Sequence, residues 1–346
     1  MVAAGYKTFN IDDCWPALNR SASGDIVPDP EKFPEGMKAF STALATHGLG
    51  LGIYTAHGEL TCCNYPGALG HEAADAATYA SWGVQFLKND WCWHDEMSEE
   101  KHLQAFNAMR DALNATGKPI TYSVHWNYDE VAGPGCAKDA NCPLPATANM
   151  WRVAGDIVPT WASVLDKLDA ANNAPTVAQP GQWNDPDMLE VGNGMTSDQD
   201  RAHFTMWCML AAPLIAGNDV RNMSETTRGI LTNQHAIAVN QDPLGKQATV
   251  VQSEGSNGTQ VWVKPLASGD VAVALLNRAE SGAKISFNFS AAIANAAAEV
   301  FDLWDGGRSL GIMHEQLSVT VAPTAAVMYR LRPNVQGGVV GNARQR

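Results

Sequence analysis

Val84-Gln-Phe-Leu-Lys-Asn-Asp-Trp-Cys92 is a short apolar run that closes on a lysine, a carboxylate and a cysteine. Val84–Leu87 predicts a strand, and Lys88 and Asp90, two residues apart, then project to the same side. An ammonium beside Asp90 keeps the carboxylate ionised, the state a nucleophile needs. A carboxylate after a strand also serves as a helix N-cap, so both readings stand at this point. Amphipathic helical patterns flank the run, Glu72–Trp82 before it and Glu99–Ala115 after it.

The same alternation extends in both directions. Runs at Lys7–Ile11, Leu49–Tyr54, Ile120–Val124, Met150–Val153, Gly181–Trp183 and Leu214–Ala216 predict further strands. Gly36–His47 and Pro159–Ala171 predict helices, and Thr196-x-x-Gln199 is a capping box opening another, through Leu210. Repeated strand–helix units imply a parallel sheet. These seven strands would fit an open doubly wound sheet, but each ends in polar groups: Asp12-Asp13, Tyr54, Asp90, His125, Asp156, Asp185 with Asp187, and Asp219. Such groups at the carboxyl ends of many strands mark an α/β fold of the (β/α)8 TIM-barrel type. An eighth strand is not visible, and the chain opens at what would be a strand.

After Gln241-Asp-Pro the pattern changes. Gln260-Val-Trp-Val, Val271-Ala-Val-Ala-Leu-Leu, Ile285-Ser-Phe-Asn-Phe, Leu317-Ser-Val-Thr-Val and Ala326-Val-Met-Tyr-Arg-Leu alternate and are separated by Gly, Ser and Asn turns. They predict a C-terminal antiparallel β-sandwich. The expected organisation is a barrel over residues 1–243, a sandwich over 244–333 and a disordered tail over 334–346.

Composition narrows the function. The 346 residues carry 36 acidic and 23 basic side chains, a formal net charge of −13. That charge argues against nucleic-acid or anionic-membrane partners, which need a basic footprint. No stretch reaches the roughly 18 apolar residues of a membrane span. Eleven Trp either stack on sugar rings or fill a large core. Seven Cys cannot all pair with one another. Cys136 and Cys142 bracket a five-residue loop that suits a small disulfide. Cys62 and Cys63 are adjacent and ill placed to bond each other, so one of them is expected to reach another cysteine, with Cys92 the candidate. Five sequons, at Asn19, Asn114, Asn222, Asn257 and Asn288, fit a glycosylated secreted protein. Met1-Val-Ala-Ala-Gly opens no signal peptide, so an incomplete amino terminus is expected.

The candidate chemistry is that of carboxylates. No His-x-x-x-His or Cys-x-x-Cys pair and no Ser/His/Asp elbow is present, and His57, His71 and His125 are scattered, so no metal or other cofactor is expected. Gly48-Leu-Gly-Leu-Gly precedes a strand and is no phosphate loop. Acetal cleavage needs an acid for the leaving oxygen and a carboxylate for the anomeric carbon. Asp156, in Trp151-Arg-Val-Ala-Gly-Asp-Ile, is a strand-end carboxylate like Asp90, with an ion pair to Arg152 as its structural alternative. Asp185 and Asp187 flank Pro186, forming either a coupled carboxylate pair or a structural turn.

Several strings together resemble glycoside hydrolase family 27, the retaining α-galactosidases and α-N-acetylgalactosaminidases. They are Asn10-Ile-Asp-Asp-Cys-Trp15, Leu51-Gly-Ile-Tyr54, Thr61-Cys62, Trp82-Gly-Val, Leu87-Lys-Asn-Asp90-x-Cys92, Arg152-x-x-x-Asp156-Ile and Pro180-Gly-x-Trp-Asn-Asp-Pro-Asp-Met-Leu189, followed by Arg201-x-His-Phe and Ala212-Pro-Leu. They span most of the chain in the family's order. The resemblance implies Asp90 as nucleophile and Asp156 as acid/base. It implies Asp12 and Asp13 as acceptors from the sugar 4- and 6-hydroxyls, and Lys88 as a contact to the 3- and 4-hydroxyls. Tyr54, Arg152 and Asp187 match further pocket residues, and Cys62–Cys92 matches a disulfide beside the nucleophile. Retention implies catalytic carboxyls about 5–5.5 Å apart.

The chain departs from the family pattern in three places. Tyr122-Ser-Val-His125-Trp126 stands where the family has Tyr-Ser-Cys-Glu-Trp or Tyr-Ser-Cys-Ser-Trp. That residue faces the sugar's 2-substituent, so His125 is the specificity candidate, and Val124 removes a family disulfide. Ala56 stands where an Asp is common. The family's first barrel strand, with the usual partner of Cys14, is missing ahead of residue 1. The expected substrate is a terminal α-galactoside, and the expected location is secreted or lysosomal/vacuolar. A homodimer is among the assemblies allowed for. The alternatives are an α-N-acetylgalactosaminidase, a β-L-arabinopyranosidase or an inactive sugar-binding homologue.

Overall fold

The structure is a computed structural model and describes residues 1–92, 98–125, 143–172, 178–255, 258–294 and 296–334. They divide into two compact units, Met1–Asp156 with Val177–Asp187, and Ile157–Thr176 with Met188–Arg346. Cys136, Cys142 and nearly all of the expected tail lie outside the described residues.

The first unit is built on a six-stranded parallel sheet: β1 (Thr8–Asn10), β2 (Gly50–Ala56), β3 (Val84–Asp90), β4 (Thr121–Val124), β5 (Met150–Arg152) and β6 (Trp183–Asp185). The strands lie side by side in sequence order. An open doubly wound sheet would reverse direction at a switch point, so the monotonic order is that of a barrel. Between strands run α1 (Gly36–Thr46), α2 (Glu72–Trp82), α3 (Glu99–Ala115) and the short α4 (Leu144–Thr147). All of β2 is buried, as expected of a central parallel strand covered on both faces. Gly52 lets β1 approach closely there: a Cβ would lie 1.9 Å from Asn10 Oδ1 and 3.2 Å from Asn10 Cα, so the Asn10 side chain would have to move. Helix α2 stops at Gly83, whose φ of 83° gives the left-handed cap, and β3 begins at the next residue.

The second unit carries α5 (Trp161–Asn172), α6 (Ser197–Leu210), α7 (Glu225–Leu231) and α8 (Gln234–Asn240). The capping box read at Thr196 and Gln199 is formed, with both reciprocal bonds. The run expected at Leu214–Ala216 reduces to a parallel bridge between Leu189 and Ala216. Beyond it come β7 (Thr249–Ser253), β8 (Thr259–Pro265), β9 (Val271–Asn277), β10 (Ala283–Asn288), β11 (Ala297–Asp302), β12 (Arg308–His314), β13 (Gln316–Val321) and β14 (Ala325–Pro333). A six-stranded sheet in the order β12-β11-β14-β9-β8-β7 and a β10–β13 pair form the antiparallel sandwich. Val273, Leu275, Phe287, Phe289, Val300 and Leu331 are among the side chains of its core.

Candidate active site

The candidate catalytic and pocket residues expected from sequence lie at or just beyond the carboxyl ends of the parallel strands. Register pairs Tyr54 with Lys88 and Ala56 with Asp90 between β2 and β3. It pairs Asn89 with Val124 between β3 and β4, which brings His125 beside Asp90. Asp90 is buried, and each of its oxygens is engaged. Oδ2 accepts from the Tyr54 hydroxyl at 2.9 Å and faces Lys88 Nζ at 3.8 Å. Oδ1 accepts the Trp91 N–H at 2.7 Å and lies 2.8 Å from His125 Nδ1. Burial alone would raise the Asp90 carboxyl. The His125 bond, the charges of Lys88 and His125 and the Trp91 N–H outweigh it and hold the group well below the usual carboxylate range. Asp90 is no helix N-cap, since Ser98 caps α3. The bond from His125 to Asp90 is absent from the sequence reading, although adjacency of β3 and β4 is the signal that points to it.

Lys88 bridges two carboxylates. Its Nζ donates to Asp12 Oδ2 at 2.8 Å and sits 5.0 Å from the centre of the Tyr54 ring. Burial would lower its pKa, but Asp12 and Asp90 raise it, so it stays an ammonium. Asp13 accepts the Cys63 N–H at 2.9 Å and the Cys14 N–H at 2.6 Å. Tyr54 is held from behind by Trp15, whose indole N–H donates to the Tyr54 carbonyl at 2.7 Å. Burial, then the Asp90 charge, push the Tyr54 phenol far up, so it acts as a donor throughout the working pH range.

A second group gathers on Arg152 at the end of β5. Its Nη2 lies 2.8 Å from Asp187 Oδ2 and 3.1 Å from Asp156 Oδ1. The ion pair read as the structural alternative for Asp156 therefore exists. It is solvent-screened, because the Asp156 side chain is 80% exposed. Asp187 has φ 88°, a region that costs a residue with a Cβ about 1–3 kcal/mol. The Asp187 N–H donates to Asp185 Oδ1 at 2.9 Å, and the Arg152 pair holds its carboxylate, so the turn after Pro186 is over-determined. Burial pushes the Asp185 carboxyl up to about 6 against the opposing charge of Arg152.

Cys62 and Cys92 are joined in a disulfide with Cα atoms 5.1 Å apart, a distance that suits the bridge. Among the described residues Cys14, Cys63 and Cys208 are thiols. Asp13, Cys14 and Cys63 bring ligand-capable atoms within 4.8 Å of one another, and each oxygen of Asp13 accepts one main-chain N–H while keeping capacity for a further bond.

Known proteins match over most of the chain. Residues 1–242 match the family model "Alpha galactosidase A", and residues 256–331 match "Alpha galactosidase C-terminal beta sandwich domain". Alpha-galactosidase A of Cellvibrio japonicus is 40% identical, over 96% of this chain and 84% of its own. The alpha-N-acetylgalactosaminidase of Gallus gallus is 38% identical, over 95% of this chain and 82% of its own. The crystal structure of alpha-galactosidase I from Mortierella vinacea superposes with a TM-score of 0.85 at 32% identity, covering 95% of this chain and 88% of that one. A parallel barrel sheet with carboxylates at its strand ends, followed in the chain by an antiparallel sandwich, is the build of a class of glycosidases. Within that class, this chain belongs to the alpha-galactosidase family, glycoside hydrolase family 27.

Proposed function

We propose that the protein is an exo-glycosidase that releases terminal α-linked galactose by double displacement, with Asp90 as nucleophile and Asp156 as acid/base. The observation that carries this reading is the environment of Asp90. It is buried, ionised and aimed by Tyr54, Lys88, His125 and Trp91 at the end of β3. Such a carboxylate can attack the anomeric carbon while Asp156 gives its proton to the departing oxygen, leaving a galactosyl ester on Asp90. Asp156 then takes a proton from water, which attacks the same carbon and frees Asp90. The exposure of Asp156 suits a group that exchanges protons with solvent in every cycle. Asp12, Asp13 and Lys88 would give charge-assisted bonds to the sugar hydroxyls, contacts that a 4-epimer cannot make. Tyr54, Arg152 and Asp187 complete the pocket, and His125 lies toward the 2-substituent. We place the barrel over residues 1–243 and the sandwich over 244–333. A secretory or lysosomal/vacuolar location agrees with the Cys62–Cys92 disulfide, a bond that persists in oxidising compartments.

Two variants test the assignment. Asp90→Asn is expected to abolish turnover of p-nitrophenyl α-galactoside while galactose binding persists. Asp156→Ala is expected to damage poor leaving groups most and to regain rate with azide, because only proton transfer is lost. Near wild-type turnover by Asp90→Asn, or equal damage across leaving groups with no azide rescue, contradicts the respective role.

A further inference from the structure

The Asp90 main-chain carbonyl accepts twice from one residue, from the His57 N–H at 3.1 Å and from His57 Nδ1 at 2.7 Å. A carbonyl offers no proton, so Nδ1 of His57 carries one. Nε2 of the same ring lies 2.7 Å from Nδ1 of His102, in the first turn of α3. In the neutral pair, Nε2 of His57 is the acceptor and His102 donates to it. A directed line of donors thus runs from α3 through residue 57 to the carbonyl of Asp90. The two imidazoles are only 1% and 2% exposed. Phe106 stacks on His57 at 4.6 Å, and the Trp91 ring lies 3.6 Å from that of His102 and 5.0 Å from that of His57. Polar rings inside an aromatic cluster cost stability unless their nitrogens are satisfied, and apolar side chains would fill the space without that demand.

We propose that His57 and His102 are a positioning pair that fixes the main chain at Asp90, and with it the direction of the carboxylate, during glycosyl transfer. The proposal rests on the reading of Asp90 as nucleophile. Tyr54, His125 and Lys88 hold the side chain of Asp90, but they act on rotatable bonds that start from its Cα. The peptide group between Asp90 and Trp91 is tied to that same side chain through its N–H, and His57 holds its carbonyl from outside. The Cys62–Cys92 disulfide tethers the same turn two residues further on. Donation from His102 polarises the His57 ring and strengthens its bond to the carbonyl.

The experiment compares His57→Ala, His57→Asn and His102→Leu in the full chain, with p-nitrophenyl α-galactoside as substrate and galactose as competitive inhibitor. Folding is followed by near-ultraviolet dichroism. Asparagine can place an N–H where Nδ1 stood, and leucine keeps volume at 102 without a donor. His57→Ala is expected to lower kcat by about 10- to 100-fold with the galactose Ki nearly unchanged, the scale of a misplaced reacting group. His57→Asn is expected to recover to within roughly threefold of wild type, with His102→Leu between the two. An unchanged kcat in folded His57→Ala, or equal losses in His57→Ala and His57→Asn, overturns the proposal. Should His57→Ala not fold, His102→Leu decides: lowered kcat at constant Ki supports the pair, and unchanged kcat overturns it. In parallel, wild-type enzyme is trapped with an activated fluorogalactoside and the labelled peptide is mapped. A label on a residue other than Asp90 overturns the nucleophile reading itself. A label on Asp90 together with an unaffected His57→Ala overturns the positioning pair alone.

Discussion

His125 and Asp90 meet at 2.8 Å because β3 and β4 are neighbours, Asp90 ends β3 and His125 directly follows β4. That contact sharpens what His125→Ser should do. The imidazole is bulkier than serine and is expected to crowd a 2-acetamido group, so serine should move selectivity toward N-acetylgalactosamine by about 1–3 kcal/mol. Serine also withdraws a donor from Asp90, so kcat should fall for both sugars. The kcat/KM values for the two p-nitrophenyl sugars, before and after the change, check both statements. An unmoved ratio would mean that another residue sets the choice. Lys88 and Asp90 were legible from the chain because residues two apart on a strand share a side. His57 was not. Its significance lies in bonds to Asp90 and His102, the latter 45 positions away, and a lone histidine carries no pattern that reveals such partners.

Strands and helices were legible where their signals are local. α2 and α3 form over the residues their apolar period predicts, and the Thr196 capping box opens α6 as read. β6 instead runs Trp183–Asp185, two residues beyond the expected start, because Gly181 is spent in a turn at φ 85°. β11 and β12 escape a sequence reading for a different reason. β12 is a largely exposed edge strand, with Gly311 at φ 87°, and its register with β11 shifts at Val300 and Phe301, so alternation is broken. The element that most constrains the site is the turn after β3. Its disulfide joins residues 30 apart. Closing a loop of that size stabilises by roughly 3–4 kcal/mol on the chain-entropy model. The double change Cys62→Ser and Cys92→Ser should lower the unfolding free energy by about that amount, and should reduce kcat more than galactose binding. Denaturant titration and steady-state kinetics measure the two effects, and an unchanged midpoint would show that the tether contributes nothing to stability.

Stability of the whole molecule should carry the signature of Asp185. Its carboxyl is buried and raised from 3.8 to about 6, so the unfolded chain releases the proton first as pH increases. The stability associated with the protonated group is complete below about pH 4 and is lost as pH rises through 6. Asp185→Asn removes that dependence. Relative to wild type it should gain roughly 3 kcal/mol between pH 4 and pH 7 and stay level above, as unfolding at a series of pH values would show. A gap that does not change with pH would place the Asp185 carboxyl near its ordinary value. For the reaction, double displacement at Asp90 makes one stereochemical statement about the intact enzyme. Two inversions at the anomeric carbon return the starting configuration. Proton NMR of p-nitrophenyl α-galactoside during the first minutes of hydrolysis should therefore show α-galactopyranose first, with the β anomer growing in only as mutarotation proceeds. β-Galactopyranose as the first-formed sugar would contradict the mechanism.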